Sequence, residues 1–325
     1  MKKALALLLF AVFFLSVSAP EAATRGRITG MTKPKKEPGP ELALTAGLRT
    51  DNFDWSISDS DGDPNILSEL TWSDLRIYQI KASTRLVMNG PFYMRGHLGY
   101  GWIWDGDNQD SDYNGDNRTN EYSRSNNASD GGEVWDASAA IGYTLDIAAI
   151  EVSPLLGYSY HAQYLQITDG YQVICDAAGS PRSCTSPPLG SFAGLDSSYD
   201  ALWYGPWLGI DLRYKTRNRR LTLYGTFELH LVLYRAEANW NLRDAFQHPI
   251  SFEHTGDGEG VLISVGGDYD IGRGWSLLAN IDADAWRVKG GLDKTFNSDG
   301  TISATSVHRV NWDSVAFMTG LKYRY

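Results

Sequence analysis

Residues 219–236 read RRLTLYGTFELHLVLYRA. The odd positions are Leu221, Leu223, Gly225, Phe227, Leu229, Leu231 and Leu233, and the even ones Thr222, Tyr224, Thr226, Glu228 and His230. Successive side chains of an extended strand point to opposite faces, so this stretch has one apolar face and one polar, partly charged face. The preceding segment repeats the pattern. Leu202, Tyr204, Leu208, Ile210, Leu212 and Tyr214 share one face, and Gly205, Gly209, Asp211 and Arg213 the other. Such a strand suits lipid on one side and a polar interior on the other. A soluble sandwich also alternates, so the connections between strands carry the decision.

Similar segments recur at 41–50, 72–88, 92–104, 134–146, 149–166, 199–215, 219–236, 259–271, 274–288 and 308–325. Each is long enough for a tilted bilayer crossing, about 9–11 residues, and their number is even, as a closed antiparallel barrel of this kind requires. Alternate connections are short: Met88-Asn89-Gly90-Pro91, Leu145-Asp146-Ile147-Ala148, Thr216-Arg217-Asn218 and Ile271-Gly272-Arg273-Gly274. The others, at 51–71, 105–133, 167–198, 237–258 and 289–307, are long and polar. Short turns on one rim and long extracellular loops on the other describe an outer-membrane barrel. The last strand carries Phe317, Thr319, Leu321, Tyr323 and Tyr325 on one face and ends on an aromatic residue. The expectation is an all-β, antiparallel, up-and-down transmembrane β-barrel of about ten strands over 41–325.

The N-terminus fits export. Lys2 and Lys3 precede an apolar run from Ala4 to Leu15 and small residues at Ser18 and Ala19, the form of a cleaved signal peptide over 1–23. Residues 24–40 are basic and rich in Pro and Gly, which predicts a flexible periplasmic tail. No later segment reaches the ~18 apolar residues of a membrane helix. The net charge of −10 argues against nucleic acid as a partner. Cys175 and Cys184 lie nine apart in a Gly/Ser/Pro-rich segment. In an oxidising compartment they form a disulfide, the alternative being two free thiols.

The expected inward residues include Lys81, Arg85, Arg95, His97, Asp136, Asp211, Arg213, Glu228, His230, Asp282 and Asp284. Unpaired charges in so narrow a space are costly, so these should pair. Two readings follow: a plug of ion pairs that holds the barrel together, or a narrow polar path for small solutes or ions. His97 and His230 fit this network better than a catalytic or metal-ligand role. The segment 105–133 holds eight acidic residues against Arg118 and Arg124, a negative rim that attracts cations. Within it Asp110 and Asp112 have the spacing to hold a water or a hard cation between two carboxylates, while composition alone describes a solvated loop. Asp59-Ser60-Asp61-Gly62-Asp63 and Asn297-Ser298-Asp299-Gly300-Thr301 look like calcium loops but lack the required ligand spacing, and read as turns. Nothing in the chain calls for a metal or a cofactor.

Ser68-Glu69-Leu70-Thr71-Trp72, Asp110-Ser111-Asp112-Tyr113, Gly225-Thr226-Phe227 and the ending Gly320-Leu321-Lys322-Tyr323-Arg324-Tyr325 resemble, in order, motifs of the omptins, ten-stranded outer-membrane proteases. That resemblance implies a pair of Asp facing an Asp–His pair across the barrel mouth. Asp110 and Asp112 match the first half. Counted forward from Gly225, the second half falls on Asn239 and Asn241, and asparagine does not accept a proton. An insertion returns the histidine only if His248 or His254 reaches the site. A closer resemblance is to the Protochlamydia-type outer-membrane proteins, carried by Pro64–Trp72, Asn108–Tyr113, Arg124–Asn127 and Ala236–Leu242. It implies an envelope protein or pore. Partners are then outer-membrane lipid and lipopolysaccharide, with small solutes or cations at the mouth. The first functional expectation is a narrow porin-like pore or structural protein, the second an omptin-type endoprotease.

Overall fold

The computed structural model describes residues 39–88, 91–184, 187–217 and 220–325. The segment expected as a signal peptide, nearly all of the basic tail, and turn residues Asn89, Gly90 and Asn218 lie outside the described residues. The strands are β1 (Glu41–Ser58), β2 (Ser68–Val87), β3 (Phe92–Gly115), β4 (Thr119–Ala128), β5 (Gly132–Tyr143), β6 (Leu145–Ile147), β7 (Ile150–Cys175), β8 (Gly190–Ser191), β9 (Asp196–Lys215), β10 (Leu221–Asn239), β11 (Phe252–Gly272), β12 (Trp275–Phe296) and β13 (Ile302–Arg324).

All pairings are antiparallel. The lower part of β3 pairs with β5 and its upper part with β4, and both then pair with β7, so β4 and β5 together occupy one place in the wall. With β6 and β8 as short additions to β7, the ring has ten places. It closes where β1 meets β13, from Glu41 against Arg324 to Ser58 against Ser306. Closure leaves no edge with unpaired amides, which a hydrocarbon layer demands. The short rim turns the chain tightly: Gly272, Arg273 and Gly274 all take positive φ between β11 and β12, where two glycines bear the left-handed backbone without strain.

Of the five segments expected as long loops, 51–71, 105–133 and 289–307 are mostly strand, while 167–198 and 237–258 remain mostly loop. β1 runs to Ser58 and β3 to Gly115, 105–128 is largely a hairpin, and β12 and β13 are separated only by a turn at 297–301. The walls therefore stand well above the lipid. In the lower wall Leu44, Leu48, Ile80, Leu208, Leu229, Leu231, Val315 and Phe317 face outward and exposed, forming the lipid-contacting band. Higher up, the outward positions turn polar, with Asn52, Asp54, Arg235, Glu237, Arg309 and Asp313. The inward ones there become aromatic and aliphatic: Phe53, Trp55, Trp72, Tyr199, Trp203, Tyr234, Trp286, Val310 and Trp312 form one buried cluster inside the ring. Where these segments are strand, the polarity of the two faces exchanges at the lipid boundary, so a reading that keeps polarity constant takes them for loops.

Candidate functional site

The interior is built in layers. At the level of the lipid band, Lys81 pairs with Asp282 at 2.5 Å. Arg95 bridges Asp211 at 3.1 Å and Glu228 at 2.6 Å, and Glu228 meets His230 Nε2 at 3.0 Å. Asp136 accepts from Arg49 at 2.8 Å, from Gln79 at 2.7 Å and from the His161 ring at 2.8 Å. Arg49 also holds Asp51. Asp284 lies near this group, its Oδ1 buried without a hydrogen-bond partner among the described residues. His97, Arg85 and Arg213 line a lower cavity of about 230 Å³ near the short-turn rim. The residues expected to face inward thus share the interior, together with Arg49, Asp51, Gln79 and His161, which had not been singled out. Arg49 and Asp51 continue the inward alternation of β1, so the same periodicity was enough to find them.

Above them lies a dry layer. Trp286 and Trp312 stack at 5.2 Å with planes 13° apart, and Trp203 sits within 6.3 Å of both. All three are at most 1% exposed, so this packed layer lies between the lower cavity and the opposite mouth.

The mouth contains a cleft of about 320 Å³, lined by Asp110 and Asp112 from β3, Tyr122 from β4, Trp240 and Arg243 from the segment after β10, and His254 and Asp293 from β11 and β12. An adjoining space of about 300 Å³ shares Asp110, Trp240 and Arg243. Alternate residues of a strand point the same way, which is why Asp110 and Asp112 project together into the cleft. Burial raises both carboxyls above the usual aspartate range. Asp110 is raised further by the charge of Asp112, against the pull of Arg243 and the Trp240 indole donor. Asp112 is moderated by hydrogen bonds from Ser68 and Ser123 and by the charges of Arg243 and Arg182. Two buried carboxyls of one sign without an ion pair favour retention of a proton between them.

The partners expected from residue counting are elsewhere. Asn239 Oδ1 accepts from the His248 ring at 2.8 Å on the exposed rim. Asn241 clasps the chain before β9, accepting from the Asp196 amide at 2.9 Å and donating to the Gly194 carbonyl at 2.7 Å. It is His254, thirteen residues beyond Asn241, that lines the cleft with the two aspartates. Its Nδ1 is 2.8 Å from the Tyr199 hydroxyl, which lies 2.7 Å from that of Tyr234. Its Nε2 approaches Asp293 at 3.3 Å, at an angle short of a hydrogen bond. Trp55 meets the ring edge-on at 4.8 Å and Phe252 stacks on it. The Asp293 contribution was hidden because 289–307 was read as a loop.

The other candidate motifs are structural. Cys175 and Cys184 form a disulfide with Cα atoms 4.9 Å apart, closing the loop after β7. Asp59 pairs with Arg182, and Asp61 accepts the Asp63 amide. Asp299 accepts from Thr301 within its own turn.

No curated protein matches this chain by sequence. Among solved structures, the outer membrane protease OmpT from Escherichia coli aligns at 13% identity with a TM-score of 0.70, covering 88% of this chain and 96% of that one. The translocator domain of the autotransporter NalP from Neisseria meningitidis aligns at 12% identity over 89% and 90% of the two chains, with a TM-score of only 0.35. The first likeness shows a shared barrel fold and nothing about chemistry. The model of the family Pom, Protochlamydia outer membrane protein, matches residues 43–325, and the chain belongs to that family of outer-membrane β-barrel proteins.

Proposed function

We propose that this protein is a plugged surface barrel that works through its extracellular cleft, binding cationic groups such as the basic side chains of peptides, and that it does not conduct along its axis. The observation behind this is the stacking order of the interior. Two inward carboxyls with no ion pair among the described residues line the mouth, and three fully buried, mutually packed tryptophans lie beneath them. A pore needs a continuous wet path, and three packed indoles inside the ring speak against one. Arg243 and Arg182 act on the two aspartates only at a distance, so a cationic guest would supply a close counter-charge, and the excess of acids at 105–133 would draw it in.

Two measurements test the reading. Binding of a fluorescent dibasic peptide to refolded protein should weaken about tenfold or more in the Asp110→Asn/Asp112→Asn variant, as loss of a charge-assisted contact implies. Unchanged affinity removes the cleft from consideration. In planar bilayers the protein should give no discrete openings; regular conductance steps return the chain to the narrow-pore reading.

A second reading, surface endoproteolysis, is favoured by one observation: His254 and Asp293 line the same cleft as Asp110 and Asp112. An imidazole and a carboxyl pair across a water-accessible gap are groups that activate water. Cleavage of the dibasic peptide that disappears in His254→Gln supports it. A peptide that is bound and stays intact leaves the binding function alone.

A further inference from the structure

The lower cavity, at the opposite end from the cleft, carries five cationic side chains, Lys81, Arg85, Arg95, Arg213 and Lys322, against four carboxylates, Glu41, Asp211, Asp268 and Asp282. Lys81 and Arg95 each pair with carboxylates at 3.1 Å or less, and Lys322 holds Asp268 at 2.6 Å. Two guanidinium groups remain under-used. Arg213 reaches Glu41 only at 3.5 Å and Asp268 only at 4.0 Å. Its Nε is buried without a hydrogen-bond partner among the described residues. Arg85 has no carboxylate of the described residues within ion-pair distance and lies over the Tyr93 ring at 4.3 Å. The strongest single charge acting on Arg85 is the like charge of Arg213.

Two adjacent guanidinium groups with free donors, in a cavity beside strand ends Glu41, Val87 and Lys215, call for an anion with several acceptor oxygens. Guanidinium donors form a rigid fork that matches such oxyanions in a bidentate way. We propose that the periplasmic end of the barrel is an oxyanion-binding site built on Arg85 and Arg213, taking a phosphate or carboxylate group presented from the periplasm. Tyr93 holds the Arg85 plane from one side, leaving its N–H edge directed at the ligand.

The test is equilibrium dialysis of radiolabelled inorganic phosphate against the full-length, detergent-refolded protein, at constant ionic strength set with chloride. Saturable binding is expected, weakened about tenfold or more by Arg85→Gln, the size of a lost charge-assisted contact. Arg85 has no ion pair to break, so this variant should keep the heat-modifiable mobility of the folded barrel. Competition by acetate identifies the site as a carboxylate acceptor, and resistance to acetate identifies a phosphate-bearing ligand; either supports the proposal. Absence of saturable phosphate binding, or equal binding by Arg85→Gln, overturns it.

Discussion

The lower and upper halves of this barrel are inverted relative to each other. Where lipid lies outside, Leu229, Leu231 and Leu233 point out and Glu228 and His230 point in. Directly beyond Leu233 on the same strand, Arg235 and Glu237 point out and Tyr234, Ala236 and Ala238 point in. β13 makes the same exchange between Val315 and Asp313, with Trp312 inside. The lower interior is an ion-pair core and the upper one a dry hydrophobic core of the kind soluble proteins have. The lesson is that the medium outside the wall, and not the fold, decides which face of a strand is apolar.

The largest test of this contrast deletes the same kind of side chain on either side of the boundary. Trp312→Ala opens a cavity in a packed layer and should cost about 3–5 kcal/mol. Leu231→Ala removes a lipid-facing group that leaves no cavity behind and should cost about 1 kcal/mol. Urea unfolding of the vesicle-reconstituted barrel measures both; equal costs contradict a dry upper core. The ion-pair core is probed in the same assay. Arg49→Met strands Asp51 and Asp136 inside the wall and should cost about 3–5 kcal/mol, since breaking one side of a buried pair leaves an uncompensated charge.

A smaller pair of changes sharpens where the boundary runs. Leu231→Arg places a cation against hydrocarbon and should cost about 2–4 kcal/mol if that position is near mid-membrane. Arg235→Leu, one turn of the alternation past the exchange, should stay within about 0.5 kcal/mol of the parent. If the two penalties are reversed, the lipid band has been placed on the wrong part of the wall.

Strand count, chain direction and the inward face of the lower wall were legible in the sequence, because period-two alternation and short turns are local signals. The inward charges were visible for the same reason. The upper wall was legible only in part: Tyr234, Arg235, Trp312 and Asp313 fall within the segments read as strands, but reading polarity as constant left Asp54 and Trp55 in a loop and gave no sign that the apolar face turns inward. The cleft was half legible. Asp110 and Asp112 stand two apart on one strand, whereas His254 and Asp293 come from strands thirteen and more residues beyond the positions reached by counting. Only the register of β11 against β12, which sets His254 opposite Asp293, brings them together.

A last contrast concerns a place where buried carboxyls enter the upper half. Burial lifts the Asp110 carboxyl above its unfolded value, near 3.9 for a free aspartate, to within about a unit. The folded state therefore binds the proton more tightly than the unfolded state, and stability falls as pH rises from about 4 through the raised folded value. Asp110→Asn removes the ionisation while keeping the shape. Below about pH 4 the variant and the parent should match, because both states of the parent are then protonated. Above it the variant should become the more stable, by about 1 kcal/mol at neutral pH and beyond. Unfolding midpoints taken between pH 3.5 and 8.5 measure the difference. A gain that shrinks with rising pH would mean that Asp110 is stabilised as an anion, by Arg243 or another cation, and that the cleft has no need of a cationic guest.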